Sequence, residues 1–144
     1  MEDGIEVVGI PGKVDQKGKG VIWTIPEEEV WKMKIKEDED TLGPPCQAGP
    51  DLWFGLVLRR LERGDAVILM PNLSVKPVNV DLTVIARDGK GVVLHEINKV
   101  TKRILHRHSV NVKLPCLFGE IEGELTLEMK VGSCEEDQGP TTAP

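Results

Sequence analysis

The sequence predicts an all-β fold: an antiparallel β-sandwich of about seven to eight strands with one short helix. Three observations carry that expectation. First, short segments alternate apolar and polar residues, most cleanly at Val78-Asn79-Val80-Asp81-Leu82-Thr83-Val84 and Glu124-Leu125-Thr126-Leu127-Glu128-Met129-Lys130-Val131. A period of two sends Val78, Val80, Leu82 and Val84 to one face and Asn79, Asp81 and Thr83 to the other, as in sheets with one dry side. Second, these segments recur at near-regular intervals with glycine, proline and Asp-Gly turn chemistry between them. Third, aromatic residues are few (Trp23, Trp31, Trp53, Phe54 and Phe118, with no tyrosine), so Val, Ile and Leu must fill the core.

Taken in order, Ile5 to Ile10 forms a strand closed by Pro11-Gly12, and the polar stretch from Lys13 to Gly20 is a loop. Val21 to Ile25 is a strand stopped by Pro26. Val30 to Lys36 alternates, which predicts a strand with Trp31, Met33 and Ile35 inward and three lysines outward, a pattern that discourages edge-to-edge aggregation. Residues 37–51, rich in acids, proline and glycine, form a long irregular connection. Leu52 to Leu58 is apolar on both faces and predicts a central strand. Ala66 to Met70 and Val78 to Ala86 follow as strands, and Arg87-Asp88-Gly89-Lys90 turns the chain into a hairpin return at Val92 to Leu94. In Glu96 to His106, Ile97, Val100, Ile104 and Leu105 fall at i, i+3, i+7 and i+8, the stripe of a short helix. Val110 to Leu114 and Glu124 to Val131 complete the strands, with a turn-rich approach at 118–123.

At 144 residues the chain makes one domain, with a sandwich over 1–132 and a disordered acidic, Pro/Thr-bearing tail over 133–144. A net charge of −6 argues against a nucleic-acid surface. Cys46, Cys116 and Cys134 are an odd set with no paired spacing, which argues against a disulfide framework. With no apolar leader or membrane-length span, the expected location is cytoplasmic or nuclear. The sequon Asn72-Leu73-Ser74 is then a chance match.

Catalytic chemistry is not expected. Ser74, Ser109 and Ser133 have no nucleophile-elbow context, and Gly12, Gly18 and Gly20 lead into no helix that could cradle a phosphate. His95, His106 and His108 with Cys116 lack the paired spacing of a zinc site. Glu37 to Asp40 with Asp51 could supply oxygens to calcium, but a consecutive acidic run points its carboxylates apart. No cofactor is expected. The one dense basic stretch, Lys99, Lys102, Arg103, His106, Arg107 and His108, reads either as a solvated face or as a contact for an acidic or phosphorylated partner segment.

The order of these pieces resembles the MATH (meprin and TRAF homology) domain, a TRAF-like fold. Val30-Trp31-Lys32-Met33-Lys34-Ile35 resembles that family's tryptophan-led third strand, and Leu52 to Leu58 its following buried strand. Val80 to Gly89 is similar to its strand and turn, and Gly123 to Val131 to its closing strand. The sequence departs from the family where Lys99-Val100-Thr101-Lys102-Arg103 stands in place of a Trp-Gly-Phe-like segment. Leu56 and Val80 stand where groove-lining aromatics are usual, which removes the basis for expecting a degron-type specificity shared with known members.

The resemblance implies an eight-stranded sandwich that docks extended peptides by main-chain pairing and shallow pockets. Its expected partner-binding residues are Leu56, Val80, Asn98, Lys99, Lys102 and Arg103. It further implies a non-enzymatic adaptor or substrate-recognition role in the ubiquitin pathway. The alternatives are a C2-like sandwich binding calcium and acidic membrane through 37–51, or a structural assembly subunit whose 52–58 strand is interface.

Overall fold

A computed structural model describes residues 5–6, 9–16, 18–36 and 38–138. Strands dominate, and every strand pairing is antiparallel, so the expected all-β sandwich is present, with more strands among the described residues than the seven or eight expected. The larger sheet takes β1 (Ile5–Glu6), β2 (Lys13–Asp15), β3 (Val21–Ile25), β9 (Val78–Arg87), β10 (Val93–Ile104) and β12 (Leu125–Glu136), in the order β1-β2-β3-β12-β9-β10. The smaller one takes β4 (Asp40–Leu42), β7 (Val57–Arg60), β8 (Ala66–Pro71) and β11 (Ser109–Leu114), in the order β11-β8-β7-β4. A ribbon of β5 (Cys46–Gly49) and β6 (Leu52–Phe54) bridges the two sheets, through Gly20 opposite Gln47 and Phe54 opposite Asn72.

The alternation in β9 and β12 packs as its period demands. Val78, Val80, Leu82 and Val84 are buried, and across the ladder so are Leu125, Leu127 and Met129. Ile68, Met70, Val110 and Val112 come from the smaller sheet into the same continuous core. Trp23 sits at its centre, fully buried, and its indole Nε1 donates to Pro11 O at 2.7 Å. The chain passes so close to that ring at Gly43 that a Cβ there would lie 2.7 Å from Trp23 Cζ3.

Several local expectations need correction. The segment 30–36 is helical, not extended: α1 spans Glu27–Ile35. Val30 and Met33, one turn apart, face the core, while Trp31 and Ile35 are 62% and 65% exposed. Three glutamates in the first turn and Lys32 and Lys34 in the last complement the helix dipole, and that arrangement outweighs a seven-residue alternation. The helix expected over 96–106 is instead strand β10. Its Val93, Ile97, Val100, Thr101 and Ile104 are β-branched, and the hairpin through Asp88 zips it onto β9 over its whole length. Asp88 Oδ1 accepts from the amides of Lys90 and Val92 at 2.9 and 3.0 Å, which sets that turn.

The strand expected over 52–58 is broken at Gly55-Leu56 into β6 and β7, and 37–51 contains β4 and β5 rather than one irregular loop. Lys13–Asp15 pairs as β2 inside the expected 13–20 loop, and Leu117–Glu120 is a short helix, α2. Within the expected Ile5 to Ile10 strand, only Ile5–Glu6 pairs; residues 7–8 lie outside the described residues. The boundary expected at 132 falls inside β12, where Ser133 and Cys134 still pair with Asp81 and Val80 past a register shift; residues 139–144 lie outside the described residues.

Candidate functional site

Strand β10 ends the larger sheet and β11 ends the smaller one, on the same side of the sandwich. They are consecutive in the chain, joined by the turn at 105–108, and are clasped at the far end by His95 Nε2 and Pro115 O, 2.8 Å apart. Among the described residues each is hydrogen-bonded to a neighbouring strand on one side only. An edge strand of this kind aims alternate N–H and C=O groups away from its sheet, where an extended chain can take them up. At twelve residues β10 is a long edge, and Val100 lies on it 54% exposed.

The side chains of β10 divide by register. His95, Ile97, Lys99 and Thr101 stand opposite Ala86, Val84, Leu82 and Val80, so they share the core-facing side of β9. Glu96, Asn98 and Val100 take the other side. Asn98 is held there by three bonds from Nδ2: to Asp81 Oδ1 at 2.8 Å, Thr83 Oγ1 at 3.1 Å and Leu82 O at 3.2 Å. Between Thr101 and Ile104 the register shifts, and Arg103 adopts a left-handed φ of 50°. Its amide donates to Asn79 Oδ1 at 2.7 Å, and its guanidinium meets Asp137 at 3.4 Å. Lys99 and Lys102 are exposed and have no ion-pair partner among the described residues. Thr101 Oγ1 is closed off from solvent and has no hydrogen-bond partner among the described residues.

Of the six residues expected to contact a partner, the structure therefore gathers Asn98, Lys99, Lys102 and Arg103 on one edge strand. Leu56 and Val80 are elsewhere in character: at 1% and 4% exposure their side chains fill the core and present nothing to a partner. Val100 and Thr101 lie within the expected contact segment, residues 98–103, but a helical stripe hid the strand edge they belong to; their β-branching was the available signal.

The other candidates disperse. His106 Nδ1 lies 2.8 Å from Ser74 O, and His95 is engaged as described. Among the described residues no three His, Cys, Asp or Glu side chains converge on a point that could hold a metal. Asp40, from the acidic run, receives Arg59 Nε and Nη2 at 2.6 and 3.0 Å, and that guanidinium holds its carboxyl below the usual range. Burial pushes the Cys46 thiol up to about 12 and the Cys134 thiol to about 11. A recess between α1 and β7 has Met33, Leu58 and Phe118 in its walls, but the rim charges Lys32–Glu29 and Lys36–Glu39 are paired with each other. A cross-strand row of Leu42, Val57 and Leu69 lies on the outer face of the smaller sheet. No helix among the described residues is long and apolar enough to cross a membrane. No protein-family model matches the chain, and no curated protein sequence matches it.

Proposed function

We propose that this chain is a non-enzymatic, MATH-like interaction module that docks an extended segment of a partner protein along β10. The observation that carries the reading is the edge itself: a long strand that, among the described residues, is paired on one side only and bears Asn98, Lys99, Lys102 and Arg103. Main-chain pairing supplies affinity in such a mode, and alternate side chains supply selectivity. What supports the resemblance is the antiparallel sandwich alone; its sheets hold six and four strands with a two-stranded ribbon, more than the eight strands the resemblance implies. β1 and β2 extend the first of these sheets, and the β5–β6 ribbon bridges between the two. Within the ubiquitin pathway, such a module would act as the substrate-recognition or adaptor part.

The test is selection from a random peptide library on the folded protein, followed by competition with an Asn98→Ala, Lys102→Glu variant. Enriched peptides that the variant no longer holds support docking on β10. Peptides held equally by both move the site off this edge and overturn the reading.

A further inference from the structure

Resting on that reading, we infer that the segment docking on β10 is acidic, with carboxylates at alternate positions and β-branched apolar residues between them. The charge distribution carries the argument. The span from His95 to Lys113 holds five Lys or Arg, a single acid (Glu96) and all three histidines, in a chain whose net charge is −6. Two nearby acids are already engaged, Asp137 with Arg103 and Asp81 with Asn98, while Glu96 on β10 is exposed. Lys99 and Lys102 are left exposed beside the open edge, and Arg107 and Lys113 are exposed on the adjoining turn and on β11.

Register then dictates the pattern. An incoming strand places alternate side chains beside those of β10 on the same face. One of its faces meets Lys99, where a carboxylate forms an ion pair. The other meets Val100, 54% exposed, where a valine or isoleucine covers apolar surface. Lys102, in the unpaired stretch between Thr101 and Ile104, is the next exposed cation along the edge for a carboxylate. A second copy of this chain suits the edge less well, because antiparallel pairing of β10 with itself brings these lysines and Arg103 together.

The experiment uses two fluorescein-labelled peptides of one length, Glu-Val-Glu-Val-Glu-Val and Gln-Val-Gln-Val-Gln-Val with flanking glycines. Binding is followed by anisotropy at two salt concentrations, with sedimentation velocity on the free protein. The acidic probe is expected to bind on the order of tenfold more tightly than the neutral one, since two or three exposed ion pairs sum to that. Raising salt should erase the difference. A Lys99→Glu, Lys102→Glu variant, both positions exposed and outside the core, should reverse the preference towards a Lys-Val-Lys-Val-Lys-Val probe. Equal binding of acidic and neutral probes overturns the acidic assignment and leaves edge docking standing. Binding of neither overturns both. A dimer that the charge-reversed variant alters makes the occupant a second copy, and overturns the proposal.

Discussion

Asn72 Nδ2 donates to Ile104 O at 2.9 Å, and this bond ties the end of β8 to the end of β10. The same amide donates to Lys76 O at 3.1 Å, and Asn72 Oδ1 accepts from the Ser74 amide at 2.8 Å. Its backbone joins the clasp, with Asn72 N donating to His108 O and Arg107 N to Asn72 O. Asn72 is wholly buried, so one side chain holds in place the turn from which the open edge departs, and its amide nitrogen has no room for a glycan. Asn72→Ala leaves the Ile104 carbonyl without this donor, and loss of the whole set should cost about 2–4 kcal/mol. Urea unfolding measures it; a loss under about 0.5 kcal/mol would mean that water replaces the amide.

Thr101 predicts the opposite sign. Its hydroxyl is buried and unpartnered on a strand, so Thr101→Val replaces a desolvated polar group by a methyl of similar shape. Stability should rise by about 1 kcal/mol in the same assay. A loss of that size would show that the hydroxyl has a partner in solution.

The helical assignment of 27–35 separates neighbouring side chains. Val30→Ala opens a hole in the core and should cost about 2 kcal/mol, because Val30 is 1% exposed. Trp31→Ala removes a far larger but 62% exposed side chain and should stay within about 0.5 kcal/mol. Reversal of that order would favour an extended 30–36 segment.

Asp40 gives a pH dependence. The Arg59 bond lowers its carboxyl below the ordinary value of 3.8, so its contribution is full above that value and is lost as pH falls through the lowered one. The unfolding midpoint of wild type should exceed that of Asp40→Asn at pH 7, and the two should converge as pH falls through the lowered value. The pair is half-exposed and its effect is small. A gap that persists at the acid end would contradict a carboxylate origin.

Thiol reactivity reports burial. Iodoacetamide at pH 8 should modify exposed Cys116 first, because Cys46 and Cys134 are held to about 12 and about 11 and remain protonated. Mass spectrometry of the folded protein should find Cys46 unmodified until denaturant is added. Early modification of Cys46 would mean that the β5–β6 ribbon opens.

The parts of the fold that were legible in the sequence are those where one physical rule acts alone. In β9 and β12 a dry and a wet face impose a period of two over many residues, and at Asp88-Gly89 the turn chemistry has few alternatives. Residues 30–36 and 96–106 satisfy two patterns at once. At α1 end charges and the Val30–Met33 stripe decided the outcome; at β10 pairing with distant β9 did. The candidate site was legible in part as a basic run: Lys99, Lys102 and Arg103 fall on one edge strand with Asn98, although Asn98 and Lys99 take opposite sides of it. Leu56 and Val80 lie on segments whose patterning already pointed to the interior; the resemblance, not the pattern, put them in a groove, and at 1% and 4% exposure they are core.

If β10 is an open edge that accepts an extended segment, amide NMR of the labelled protein titrated with the Glu-Val repeat will report it. Shift changes should concentrate at residues 95–103, and amide exchange there should slow as the edge is paired. Changes centred on the Leu42, Val57 and Leu69 row, with β10 unmoved, would contradict edge docking.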